Sequence, residues 1–166
     1  MPLKPVEKFS LYLYEKYKID SILKIQKILF FLRVYEMKKG KEDSPIFGNN
    51  SNNNFQAWMY GPVNVDSYEF MRWKLRSGED EGDDNVLLEF KDKKVEELYI
   101  EYKPIIDKLK DKDSHYLVYL SHHNIEYKKV RGDISEFAPC CEYLDEKSED
   151  FIKFDEKIED EIAKIF

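Results

Sequence analysis

Two cysteines stand side by side at Cys140 and Cys141, and there is no third. Adjacent cysteines rarely bridge, because so small a ring strains the peptide between them. A disulfide framework is therefore excluded, and a reducing, cytoplasmic location is expected. No stretch approaches the roughly 20 apolar residues that a membrane helix requires. Residues 1–10 carry Lys4, Glu7 and Lys8 where a signal peptide needs an apolar run. Arginine is also scarce, at Arg33, Arg72, Arg76 and Arg131 only. With 34 acidic against 27 basic side chains the net charge is −7, which argues against a broad phosphate-binding surface and so against direct nucleic-acid binding. The six glycines are scattered. None forms the GxGxxG or GxxxxGK[ST] loops that cradle phosphates, and there is no G-x-S-x-G elbow.

What is present is core material. Of 166 residues, 42% are hydrophobic and 15% aromatic, enough for one folded domain with a charged exterior. Pro5 suits the first position of a helix, and Val6, Phe9 and Leu13 follow at helical spacing, to an end by Lys18. Asp20 or Ser21 can cap a second helix, about 21–39, in which Ile22, Ile25, Leu29 and Leu32 form a stripe. Ile28, Phe30, Phe31 and Val34 widen that stripe nearly all the way round, the signature of a helix buried on all sides. Gly40 stops it, and the asparagine-rich run 49–54 reads as a mobile loop.

Further along, Asn64 or Asp66 can cap a helix over about 65–76, with Tyr68, Met71, Arg72 and Leu75 on one face. Residues 77–85 form an acidic, glycine-containing linker, and 86–90 could be one short strand. A helix over about 93–110, with Leu98, Ile105, Ile106 and Leu109 inward, should be kinked or divided by Pro104. Asp113 or Ser114 can cap the next helix, and Gly132 ends the helical turn after it. A short helix over 134–144 and a final one over about 148–166 complete the reading, the last with Phe151, Phe154, Ile158, Ile162 and Ile165 inward. The expected fold is mainly α, a compact single domain around the central helix, with at most a short β element near 86–90. Residues 1–131 form the main helical body, and 132–166 form a C-terminal helical extension packed on it.

Few side chains suggest chemistry. His115, His122, His123 and Glu126 are the strongest metal candidates, and His122 and Glu126 share a helix face. They lack the HExxH arrangement, and zinc sites need three or four ligands; a structural role is expected for His122 and no metal for the set. Cys140 and Cys141 have no hydrolase signature around them and read as small hydrophobes. The acidic run Glu79, Asp80, Glu81, Asp83 and Asp84 reads as solvated charge. No catalytic residue, cofactor or metal is assigned. Trp58 to Val63 is different, because large amphipathic rings crowd a Gly61-Pro62 turn there. Such rings either pin a loop to the core or present an interface hot spot.

Lys24-Ile25-Gln26-Lys27-Ile28-Leu29-Phe30-Phe31 resembles the K-L-Q-K-L-L-Y-F helix of the Panacea (SocA-like) antitoxin family. Ala57-Trp58-Met59-Tyr60-Gly61-Pro62-Val63, followed by Tyr68, is similar to that family's A-W-x-Y-G-P-V block, and Leu120-Ser121-His122 to its L-T-H stretch. The chain departs from the pattern after His122, where Asn124-Ile125-Glu126-Tyr127 replaces a frequent Pro-Trp, and nothing matches beyond Gly132. The resemblance implies a non-enzymatic antitoxin that neutralises a cognate toxin by direct contact; the family's founding member presents its toxin to a ClpX-type protease, a candidate second partner that the resemblance alone does not imply here. Partner contacts are then expected at Trp58, Tyr60, Gly61, Pro62 and Tyr68, with Gln26 supporting the turn through a hydrogen bond to its backbone. The alternatives are an adaptor or scaffold of a mobile element, and a metal-dependent hydrolase built on the histidines.

Overall fold

The computed structural model describes residues 2–77, 93–132 and 140–166. Helix α1 (Pro5–Lys16) begins at the expected proline, and Glu7 accepts the Lys4 N–H at 3.0 Å, supplying a bond that the helix itself cannot. It buries Val6, Phe9 and Leu13, and Lys18 in the left-handed region (φ 57°) turns the chain away. Helix α2 (Ile22–Lys39) is capped by Ser21, whose hydroxyl accepts the Lys24 N–H at 3.1 Å. Gly40 closes it at φ 66°, a conformation that needs no Cβ to be accommodated. Every residue from Ile25 to Val34 is buried, as the all-round apolar pattern requires.

The other elements wrap α2. Phe30 meets Phe31, Phe55 and Phe151 edge-on, at 5.5, 5.6 and 5.6 Å between ring centres. A buried Phe stabilises by about 1.5–3 kcal/mol, so this cluster is a principal contributor to the core. Polar groups inside α2 are also answered. Arg33 bridges Glu36 and Glu146, while Ser44 and Tyr102 donate to the second Glu36 oxygen and Asn54 donates to both Glu146 oxygens. Removing one member of such a buried set costs about 3–5 kcal/mol, because the partner charge is stranded. The network also reaches the asparagine-rich run at two points: Ser51 O accepts from Arg33, and Asn54 donates to Glu146.

Helix α3 (Val65–Ser77) is capped by Asn64, whose side chain accepts the Ser67 N–H at 2.9 Å. It lies against α1, where the Ser10 and Ser67 hydroxyls meet at 2.6 Å. Met71 faces inward, whereas Arg72 and Leu75 of the same expected face are exposed. The 93–110 helix is divided as Pro104 predicts, into α4 (Lys93–Tyr99), a 3₁₀ turn (Ile100–Tyr102) and α5 (Lys103–Leu109). The buried stripe runs through the division at helical spacing as Val95, Tyr99, Tyr102, Ile106 and Leu109, and Leu98, expected in the core, lies off it and is 52% exposed. Asp113 caps α6 (Ser114–His122), and Asn124 caps α7 (Ile125–Arg131).

The rest of the chain supplies the short β element, and two expectations there need correction. The short β element is a hairpin of β1 (Gln56–Trp58) and β2 (Gly61–Val63); residues 86–90 and the acidic linker beyond residue 77 lie outside the described residues. The helix expected over 134–144 is absent from its described part, since Cys140–Leu144 runs extended beside β1. There the Ala57 N–H donates to Glu142 O and the Leu144 N–H to Phe55 O, both at 2.9 Å. The final helix is also not continuous. It is split into 3₁₀ turns at Glu149–Ile152 and Glu156–Ile158, followed by α8 (Glu159–Ile165). Between the turns the backbone pairs elsewhere: Lys153 O accepts the Ile125 N–H and the Asp155 N–H donates to His123 O. The inward residues are nevertheless those expected, with Phe151, Ile158, Ile162 and Ile165 buried and Phe154 stacked on Phe31. They join the same core cluster as α1 and α2.

Candidate partner-binding groove

The hairpin reverses at Met59 and Tyr60, both at negative φ, so the positive φ needed to rejoin the strands falls on Gly61 at 104°. Gly61 is also required by space. A Cβ there would lie 2.5 Å from Ser121 Oγ and 2.9 Å from Lys27 Cε, both in the packed interior.

Side chains from three helices grip the hairpin backbone from below. Lys27 of α2 donates to Pro62 O at 2.7 Å, and His122 at the end of α6 donates through Nε2 to Met59 O at 3.1 Å. From α7, the Tyr127 hydroxyl donates to Trp58 O at 2.6 Å and Arg131 to Ala57 O at 2.8 Å. Gln26 accepts the Asn64 N–H at 2.9 Å and donates to Ser67 at 3.0 Å. Its amide thus fixes the junction between β2 and α3, one residue past the hairpin, and the neighbouring Lys27 bonds the turn itself.

These groups sit in a dry environment. Lys27 is wholly buried without a carboxylate partner among the described residues, and burial pushes its ammonium down to about 7. His122 is lowered mainly by burial, then by the charge of Lys27, against the opposing bond to Met59 O. Its ring stacks on Tyr127 at 5.2 Å and 8°, and burial pushes the Tyr127 hydroxyl up to about 12.

Above this platform lies a predominantly apolar groove of about 650 Å³. Ile22 and Leu23 at the start of α2 form one wall, and Trp58, Met59, Tyr60 and Tyr68 form another. Cys140 and Cys141 complete its rim, the first buried and the second exposed. Trp58 is half-buried, packed edge-on against Tyr68 at 4.9 Å with its indole N–H donating to Gln56, whereas Tyr60 is 61% exposed at the hairpin tip. Of the five residues expected to touch a partner, Trp58, Tyr60 and Tyr68 line the groove. Gly61 and Pro62 are buried and act through hairpin shape.

The histidine set is dispersed. His115 is exposed at the start of α6, His122 serves the hairpin, His123 holds Asp155 at 2.7 Å, and Glu126 accepts the Asp145 N–H. Among the described residues no group of three or more His, Cys, Asp or Glu side chains is placed to hold a metal ion. Sequence reasoning missed Lys27, Tyr127 and Arg131 as hairpin supports. Only Lys27 carried a signal, as a charge in the most apolar part of a buried helix. The chain matches no family model, no curated protein and no solved structure.

Proposed function

We propose that this chain is an antitoxin-like protein, which neutralises a partner toxin by holding one of the partner's apolar segments in the groove between α2, the hairpin and α3. The observation that carries the reading is a wide apolar groove edged by an exposed tyrosine and a half-buried tryptophan, on a backbone clamped from beneath by four side chains. Large rings on a rigid support bind with little loss of conformational freedom, which is why Trp and Tyr dominate hot spots. The resemblance of the Lys24–Phe31 and Ala57–Val63 blocks to the Panacea family supplies the toxin as the class of partner. Presentation of the toxin to a ClpX-type protease is a second step that the same groove could serve.

The test pairs capture with rescue. The tagged protein should retain one dominant protein from its native cells, toxic when expressed alone and harmless when co-expressed with this chain. Tyr60→Asp alters only an exposed side chain, so it should keep the wild-type melting temperature while losing both capture and rescue. A folded Tyr60→Asp that still captures and rescues would remove the groove from the mechanism. A captured protein that is harmless alone would replace the antitoxin reading with that of an adaptor.

A further inference from the structure

Beyond Tyr68 of the groove wall, α3 carries a strip of different character. Tyr68 in the groove wall is followed at i+4 and i+8 by Arg72 and Arg76, which a helix places on the same face, about 6 and 12 Å further along its axis. Between them stands Trp73, 59% exposed and leaning on the half-buried Phe70 at 6.5 Å. Arg72, Trp73 and Arg76, with Glu69 at one side, line a shallow depression.

The charge state of this strip is unusual for the molecule. The chain has 34 acidic side chains and only four arginines. Arg33 is spent on Glu36 and Glu146, and Arg131 on the hairpin. Arg72 and Arg76 make no ion pair with the described residues, and the one carboxylate in the depression, Glu69, leaves it net positive. Two guanidinium groups with no carboxylate partner among the described residues, beside an exposed indole on an acidic protein, form a surface suited to carboxylates next to an apolar anchor.

Resting on the reading of the groove as the partner site, we propose that the occupant is a peptide segment of the partner with an apolar anchor next to acidic residues. The anchor sits against Trp58, Tyr60 and Tyr68. The Asp or Glu side chains run along α3 onto Arg72 and Arg76, over the face of Trp73.

A random 12-residue peptide library displayed on phage, selected against the full chain, is the probe. Selected peptides should share aromatic or aliphatic residues followed or preceded by Asp and Glu. One such peptide, made synthetically, should bind the Arg72→Glu/Arg76→Glu double variant about tenfold more weakly at low salt, and its affinity for wild type should fall as salt rises. Because both arginines are exposed, the variant should melt as wild type does. Tyr60→Asp should abolish binding altogether. Apolar peptides with no acidic enrichment, or with affinity indifferent to the double variant, would overturn the acidic assignment and leave the groove intact. Selected peptides indifferent to Tyr60→Asp would overturn the groove reading itself. A labelled single-stranded oligonucleotide retained by wild type and lost by the double variant would assign the strip to nucleic acid and overturn the proposal.

Discussion

Lys27 offers the most direct test of how the groove is supported. It is fully buried, its amine bonds Pro62 O, and burial takes its pKa from 10.5 to about 7. At 1.36 kcal/mol per pKa unit, keeping the amine charged inside the fold costs about 5 kcal/mol relative to the unfolded chain. The sign follows from proton counts. Below pH 7 both states carry the proton and the penalty is fully present. Between about 7 and 10.5 the unfolded chain holds a proton that the folded chain does not, so stability rises with pH. Integrated, the gain is about 2 kcal/mol from pH 7 to 9, against only about 0.4 kcal/mol from pH 5 to 7. Lys27→Met keeps the length of the side chain and removes the titration. It also leaves Pro62 O unpaired, a loss of about 1–3 kcal/mol that does not depend on pH. Urea unfolding of both proteins at pH 5, 7, 8 and 9 isolates the effect as a difference curve. The wild type should gain on Lys27→Met by about 2 kcal/mol between pH 7 and 9. A flat difference across that interval would refute the reasoning, since the amine would then be in the same protonation state in folded and unfolded chains.

Two further substitutions probe the hairpin. Gly61→Ala places a Cβ against Ser121 and Lys27 at a φ that L residues rarely adopt, so it should lower stability by about 1–3 kcal/mol in thermal melts and weaken partner capture more than Tyr60→Phe does. Gln26→Leu strips the Asn64 N–H and Ser67 hydroxyl of their buried partner, with an expected loss of about 1–3 kcal/mol. Unchanged unfolding together with unchanged partner capture would show that its two bonds are not what fixes the start of α3.

How much of this was legible depended on whether the determinant was local. Helix α2 announced itself because Ile25 to Val34 leave no polar face, and its ends by Ser21 and Gly40, whose capping chemistry acts within a few residues. Pro104 divided its helix for the same local reason. The hairpin was not read as strands because three residues cannot establish a period of two, and its pairing with 142–144 joins distant parts of the chain. The last segment misled more instructively. Its apolar residues recur at helical spacing, yet Lys153 O and the Asp155 N–H are claimed by Ile125 and His123, and the helix breaks where those bonds are made. At the groove, the rings of Trp58 and Tyr60 were visible as a cluster. The clamp beneath them was not, because Lys27, His122, Tyr127 and Arg131 converge only once α2, α6 and α7 have packed.

The extended run Cys140–Leu144 beside β1 sets a schedule for when the groove is complete. The groove has its first wall from residues 22–23, its second from 58–68 and its rim from 140–141. A nascent chain that has reached α7 therefore holds a hairpin with one open edge and a groove with no rim. Pairing across so long a stretch of chain is intrinsically slow. The finished groove should accordingly arrive as one late event, after residue 144 has emerged and docked, and a chain interrupted before that point would present an exposed strand edge rather than a partly built groove.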